Sequence, residues 1–422
     1  MIKLRLTILA ILLICVGILS FSIYRIEIEK RALKSDLIEL SNVKYGLFNV
    51  DEWKVALADI ITKKIREFNF NDTNKEKIRK EISGYLTEAV DKLEENYYDR
   101  RQNTISGFLQ STVASVTGVF GEIRKNIPEF TDQIIAYLDK PQNRESIRKY
   151  IIKKLNEYAD KTFAEVDYTT HNTIIALNGY SDRQTTIAGL KSQIKELDSQ
   201  EQPYIILLFS LILLVAAALI FSKSLARMEA LLLSLLCGIL LSVGLLLPMI
   251  DIDARIAKMS FHLLGETITF QDQVLFYKSK SILEVVQLML TNDDFKLIAV
   301  GLLVLCFSVV FPISKLLSSV GYLYSKKFRE NWLAKFMVHK SGKWSMADVM
   351  VVAIFMAYIG FTGIITEQLK QIDNLSSRID VLTTNESTLQ VGFYLFTAFT
   401  VLSLLVSHKI QFGAEKGEVG II

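Results

Sequence analysis

The sequence predicts an all-α polytopic membrane protein, with six transmembrane helices and a large helical extracytoplasmic insert. A small β-sheet is expected on the outer face of a C-terminal four-helix module. Three observations predict this. Half of the 422 residues are hydrophobic and only five are proline, with a mean hydropathy of +0.31. The apolar residues gather into six uncharged runs, residues 6–24, 202–222, 230–250, 297–314, 349–366 and 387–407, each near the length of about 20 residues that a bilayer-spanning helix needs. One long charged stretch, residues 25–203, separates the first run from the second.

The first run follows Lys3 and Arg5, as a cleavable signal peptide would. Its end, Phe21-Ser22-Ile23-Tyr24, is bulky and offers no small-x-small cleavage site, so residues 1–24 are read as an uncleaved anchor. Residues 25–203 follow as a helical extracytoplasmic domain. "DEWKVALADIITKKIREF" places Trp53, Val55, Ala56, Ile60, Ile61 and Ile65 at helical spacing. "SIRKYIIKKLNEYADKTF" does the same with Ile147, Tyr150, Ile151, Leu155 and Tyr158. "ISGFLQSTVASVTGVFGEI" is the least charged part, and two readings stand for it: a helix buried in the domain's own core, or a surface for lipid. "DRQTTIAGLKSQIKELDSQEQP" reads as a polar stalk descending into the second span, residues 204–222. Span, helical domain and span also describe sensory receptors. Only seven residues, 223–229, separate the second run from the third, which leaves no room for a cytoplasmic output domain.

Residues 223–422 form the four-helix module, with spans at about 230–250, 297–324, 346–366 and 392–408. The basic residues orient it. Residues 325–345 carry six Lys/Arg against one acid, residues 367–391 two against four, and residues 251–295 four against seven. The positive-inside rule places the first of these loops in the cytoplasm and the other two outside. Six spans then leave both termini cytoplasmic. In the first outer loop, Met259, Phe261 and Leu263 alternate with Ser260, His262 and Leu264 around a Gly265-Glu266 turn, which predicts a short β-hairpin. Ser281 and Glu284 form a capping box opening an amphipathic helix, and "STLQVGF" offers a further strand.

Several chemistries find no support. A net charge of +3 points to no polyanionic partner, so no nucleic acid is expected. Cys15, Cys237 and Cys306 all fall in apolar runs, and the four histidines are far apart, which gives no metal-ligand spacing and no disulfide framework. No GxxxxGK[ST] occurs, and no Ser/His/Asp arrangement stands out by spacing. No enzyme activity and no cofactor are expected.

The module's motifs carry a resemblance. "GKWSMADVMVVAIFMAY" resembles the signature of the paraquat-inducible protein A family, a Trp-Ser-Met-x-Asp/Glu-Val block opening the third helix of a four-helix membrane module. The matching positions are Trp344, Ser345, Met346, Asp348 and Val349. "TLQVGFYLFTAFTVLSLL" is similar to the fourth helix, with Gly392, Tyr394 and Phe396 matching, and "VLCFSVVFPISKLL" to the second, with Pro312 at the expected kink. The resemblance covers roughly residues 230–407. It departs from better-known members in having one module, no cysteine-rich zinc segments, and Gly360 where a basic residue is often found. The insert is not part of the family pattern.

Asp348 then has two readings. In one, Ser345 and Asp348 cap a helix start, where the partial positive charge favours a carboxylate, and Lys343 and Trp344 are interface anchors. In the other, Asp348 points into the bundle toward Lys315, which lies between apolar stretches, with Ser314, Ser318 and Ser319 nearby. Snorkelling of Lys315 to the surface is the alternative to such burial. The resemblance implies phospholipid transport between the membranes of a bacterial envelope, with lipid as cargo and a periplasmic mammalian-cell-entry (MCE) domain protein as partner. An ion-coupled secondary transporter or channel is the alternative reading, and a membrane sensor or scaffold the third.

Overall fold

The computed structural model describes residues 2–46, 49–66, 75–99, 119–140, 143, 146–159, 167–222, 225–263, 266–324, 347–373 and 379–415. Two 39-residue helices dominate the first half: α1, Ile2–Leu40, and α7, Arg183–Phe221. Helix α1 runs from an apolar span into polar sequence and α7 from a polar stalk into an apolar span, so in each case membrane anchor and stalk are one rod. Pro203 lies inside α7 and removes a single backbone donor without ending the helix.

Between the rods lie α2 (Val50–Arg66), α3 (Lys75–Asp99), α4 (Val119–Leu138), α5 (Ile147–Ala159) and α6 (Thr169–Asn178). The helices expected around Ile60 and Ile151 are therefore α2 and α5. Of the weakly charged stretch 105–123, residues 105–118 lie outside the described residues. Gly179 closes α6 at φ 71° and Asp182 opens α7, its carboxylate accepting from Thr185 N at 3.0 Å. The top of the rod pair is tied by Arg183, whose Nε donates to Leu40 O at 2.8 Å and whose Nη1 donates to Tyr45 O at 2.7 Å. A cation on the last carbonyls of α1 suits the negative end of that helix, and burial pulls the Arg183 guanidinium below its ordinary range.

The second half begins with α8, Arg227–Leu246. It stops short of the expected residue 250 because Pro248 disfavours helical backbone at Leu247. Strand β1 (Ile250–Leu263) pairs antiparallel with β2 (Glu266–Lys280), from Leu263↔Glu266 down to Ile250↔Lys280. The hairpin is where it was expected but far longer, at 14 and 15 residues. Its lower part does not alternate simply. A register shift after Ile256, with Ala257 the extra residue, brings Met259 to the same buried side as Ala254 and Ile256, a spacing that a period of two does not register.

Helix α9, Ile282–Leu290, opens on the expected capping box: Glu284 N donates to Ser281 Oγ at 3.2 Å and Ser281 N to Glu284 Oε2 at 3.0 Å. The second module span is α10 (Phe295–Leu305), a π-helical turn (Cys306–Val310) and α11 (Phe311–Tyr324). The π turn sits directly before Pro312, whose missing N–H disrupts the regular ladder there. Helix α12 is Ala347–Asp373. Strand β3 (Ile379–Asn385) adds to the far edge of β1, and β4 (Thr388–Leu389) pairs the start of β1, giving a four-stranded sheet in the order β2-β1-β3. Helix α13, Val391–Glu415, completes the chain's described part. Among the described residues, six helices are long and apolar enough to cross a membrane.

Three cores hold these elements. The membrane core joins Val16, Leu19 and Ile23 of α1 with Leu208 and Ile212 of α7, Leu236 and Leu240 of α8, and Phe396 and Phe399 of α13. A small cluster of Leu37, Leu40, Ile174, Leu190 and Ile194 holds the top of the rods. The third unites the halves of the sequence: Ile61, Ile82, Ile134 and Ile151 of the insert pack with Ile256, Met259, Ile268 and Phe270 of the sheet. The helical domain is seated on the module's hairpin through a continuous apolar core.

Candidate functional site

Within the membrane, α8 and α13 pack closely because glycines line their seam. A Cβ on Gly244 would stand 2.9 Å from Phe396 N, and one on Gly392 would stand 2.4 Å from Pro248 O. Gly392 N donates to Pro248 O at 3.1 Å and Gln390 N to Met249 O at 2.9 Å, so α13 begins against the backbone that leaves α8. That contact gives Gly392 a physical reason: only hydrogen fits there.

Polar side chains follow this seam. Ser234 Oγ donates to Ala230 O at 2.8 Å, Thr400 Oγ1 to Phe396 O at 2.9 Å, and Ser403 Oγ to Thr400 O at 3.0 Å, each satisfied within its own helix. Ser308, in the π turn, is fully buried, and its hydroxyl has no partner among the described residues. Lys315 is 3 % exposed. Its side chain is enclosed by protein instead of snorkelling to the surface, and its charge reaches the buried Cys237 of α8. It lies nine residues, about 14 Å along the helix, from the end of α11. Ser318 and Ser319 are buried on the same helix and Ser314 is partly buried.

The other expected site residues divide. Pro312 is buried just after the π turn. Val349 is 50 % exposed on α12. Trp344, Ser345 and Met346 lie outside the described residues. Asp348 falls in the first turn of α12, and its side chain is also outside the described residues, so neither the capping box with Ser345 nor the approach to Lys315 is seen. A Cβ on Gly360 would meet nothing within 4 Å, so a basic residue there would point into open space on the lipid-facing helix. At its other end α12 is bound to the sheet, with Asn385 Nδ2 donating to Thr362 O at 3.1 Å and Tyr358 OH to Ser387 O at 3.3 Å.

A second polar cluster, which sequence reasoning missed, lies where the rods leave the membrane. Lys30 of α1 is 5 % exposed, Glu27 4 % and Glu201 of α7 2 %. Lys30 Nζ contacts Glu27, donates to Glu201 Oε2 at 2.5 Å, and meets the half-exposed Asp198 at 3.2 Å. Burial alone would lower the Lys30 pKa, but Glu27's charge and the hydrogen bonds to Glu201 and Glu27 outweigh it and raise the pKa. Glu201 is pushed the opposite way for a carboxyl, up to about 7, first by burial and then by the adjacent Glu27. On the next face of α1, Arg31 Nη1 pairs with Glu284 Oε1 at 2.8 Å and Lys34 Nζ with Asp251 Oδ2 at 3.2 Å. Tyr277 donates to Asp251 at 3.3 Å, and burial together with that carboxylate raises its phenol above the ordinary range. Higher up, Lys191 of α7 pairs with Asp272, which stands at φ 50° in β2. The rods are thus bolted to the sheet by charge at several levels. A signal for this was present: Glu27 and Lys30 stand at helical i, i+3 spacing just after the first apolar run, and Glu201 just before the second.

Among the described residues no group of three or more metal-ligating side chains is found. No curated protein and no solved structure matches the chain. A family model, Paraquat-inducible protein A, matches residues 272–370. The match runs from inside β2 through α12 and leaves out the insert, α8 and α13. It includes the Trp-Ser-Met-x-Asp block, Pro312 and Lys315, so the part of the chain that holds the membrane module's second and third spans is similar to the paraquat-inducible protein A family, as those residues suggested.

Proposed function

We propose that this protein is the non-enzymatic inner-membrane component of a system moving phospholipid between the membranes of a bacterial envelope. Its helical domain and sheet, on the extracytoplasmic side, dock a periplasmic MCE-type partner. The observation that supports this best is the family match over residues 272–370 coinciding with a buried polar seam, Lys315 with Ser308, Ser318 and Ser319, in a bundle whose core is mostly apolar. An ionisable side chain inside a membrane domain costs about 2.5–3.5 kcal/mol by insertion scales, a cost usually tolerated for function. The core shared by the insert and the sheet supports the docking role, because a partner gripping the helical domain is mechanically joined to the module that lies in the membrane.

The test is purification of the full-length protein in native lipid discs, followed by mass spectrometry of the bound proteins and lipids. Co-isolation of an MCE-domain protein with enriched phospholipid is expected. Recovery with neither partner nor enriched lipid would remove the reading. The buried Lys315 also favours the second reading, ion-coupled transport, and ion flux in vesicles containing the protein alone would select it.

A further inference from the structure

We propose that Glu27 and Glu201 hold one shared proton above Lys30, making the junction of α1 and α7 a proton-binding site that clamps the two rods where they leave the membrane. The geometry carries this. Lys30 has three N–H donors, and all three face carboxylates: Glu27, Asp198 and Glu201. The ammonium is already shared among three carboxylates. Yet Glu201 Oε1 and Glu27 Oε1 are both buried without a hydrogen-bond donor, and the two carboxylates crowd the same Lys30 ammonium. Two ionised carboxylates that close repel in a site shielded from water, and a proton on one supplies the missing donor and removes the repulsion. The upward push on Glu201 to about 7 agrees with that placement.

The surrounding charges leave the assignment intact. On α1, Arg31 and Lys34 are engaged by Glu284 and Asp251. Helix α8, which packs on α1, carries its ionisable Arg227 and Glu229 at the opposite end. Helix α13, which packs on α7, has His408 and Lys409 near its far end, and Lys409 is bound to Ser222 O at 2.6 Å. Helix α6 brings His171 to the top of the rods, stacked near Tyr45 and Tyr168. The phenols of Tyr24 and Tyr204 lie one turn below the pair on the two rods. Losing the proton leaves two negative carboxylates across the α1–α7 interface with one cation between them, so the clamp loosens as pH rises through neutrality. This inference stands independently of lipid transport.

The experiment is infrared difference spectroscopy of the full-length protein in detergent or lipid discs between pH 5 and pH 9, beside its thermal unfolding temperature over the same range. A protonated-carboxyl C=O band is expected to vanish with a midpoint near 7, and Glu201→Gln and Glu27→Gln should each abolish that titration. The unfolding temperature of the wild type should fall across the same window, and that slope should flatten in both variants. A wild type with no protonated-carboxyl band at pH 5 overturns the proposal without relying on any variant. So does a band that titrates unchanged in both folded variants.

Discussion

Two buried lysines, about equally hidden, sit in opposite settings. Lys30 stands where the rods leave the membrane, inside a cage of Glu27, Asp198 and Glu201 contributed by two helices. Lys315 stands in the membrane module, among the serines of its own helix and near Cys237 of α8. At Lys30 the charge is matched in excess, and the problem left over is too much negative charge. At Lys315 the described neighbours include the buried Ser318 and Ser319 of its own helix and Cys237 of α8. The contrast sets a cation held by carboxylates across an interface against one buried inside the membrane bundle.

Breaking the first site should cost most. Lys30→Met leaves two buried carboxylates without their cation, and removing one partner of a buried pair typically costs about 3–5 kcal/mol. Thermal or denaturant unfolding in detergent near pH 8 is expected to show that loss, and to show less of it near pH 5, where Glu201 takes a proton. The sign follows from linkage: Glu201 has its pKa raised in the fold to about 7, so the folded state binds more protons than the unfolded one between the ordinary carboxyl range and 7. Its contribution is fully present below that range and lost as pH rises through 7.

The second site is tested by a double-mutant cycle. If Asp348 and Lys315 share a polar site, Asp348→Asn and Lys315→Met should couple by about 0.5–3 kcal/mol, and the double variant should be more stable than the sum of the singles implies. Lipid transfer should be lost in all three. Additive stabilities with normal transfer in Asp348→Asn would reduce that residue to a helix cap worth about 0.3–1 kcal/mol.

A purely steric change near Lys315's seam sharpens the comparison. Gly392→Ala puts a methyl 2.4 Å from Pro248 O, a backbone atom that cannot swing away, and overpacking of this kind costs about 1–3 kcal/mol. It should lower the unfolding temperature with no dependence on pH. The smallest effect belongs to an exposed ion pair. Lys63 and Glu266 meet at 2.6 Å with side chains 59 % and 30 % exposed, and Lys63→Ala should cost less than about 1 kcal/mol, vanishing at high salt.

Much of the architecture was legible from local pattern. Six uncharged runs became six membrane-length helices, and the Ser281–Glu284 box opened its helix. Alternation around Gly265 became a hairpin, though its full length was hidden by the two irregularities after Ala254 and Ile256. Part of the candidate site was legible too, since Lys315 between apolar stretches is a visible anomaly. The role of Gly392 was legible only as a resemblance. The carbonyls of Leu247 and Pro248 that exclude a side chain there come from another helix end, and no local pattern announces them.

What the sequence by itself determined is whatever one helix or one hairpin settles against its solvent: which segments partition into lipid, where a helix begins, which way a strand alternates. These follow from transfer free energies and backbone geometry within about twenty residues. Tertiary structure alone decided which polar residues would be removed from water. Glu27, Lys30 and Glu201 look like ordinary solvated charges next to their spans, and Lys30 and Glu201 are separated by 171 positions. They became a buried cluster because two long rods cross the membrane side by side and present those faces to each other. The insert likewise completes its core with residues of a hairpin that begins at position 250. Burial of a charge is a property of a pair of surfaces, and a sequence lists those surfaces without saying which will meet.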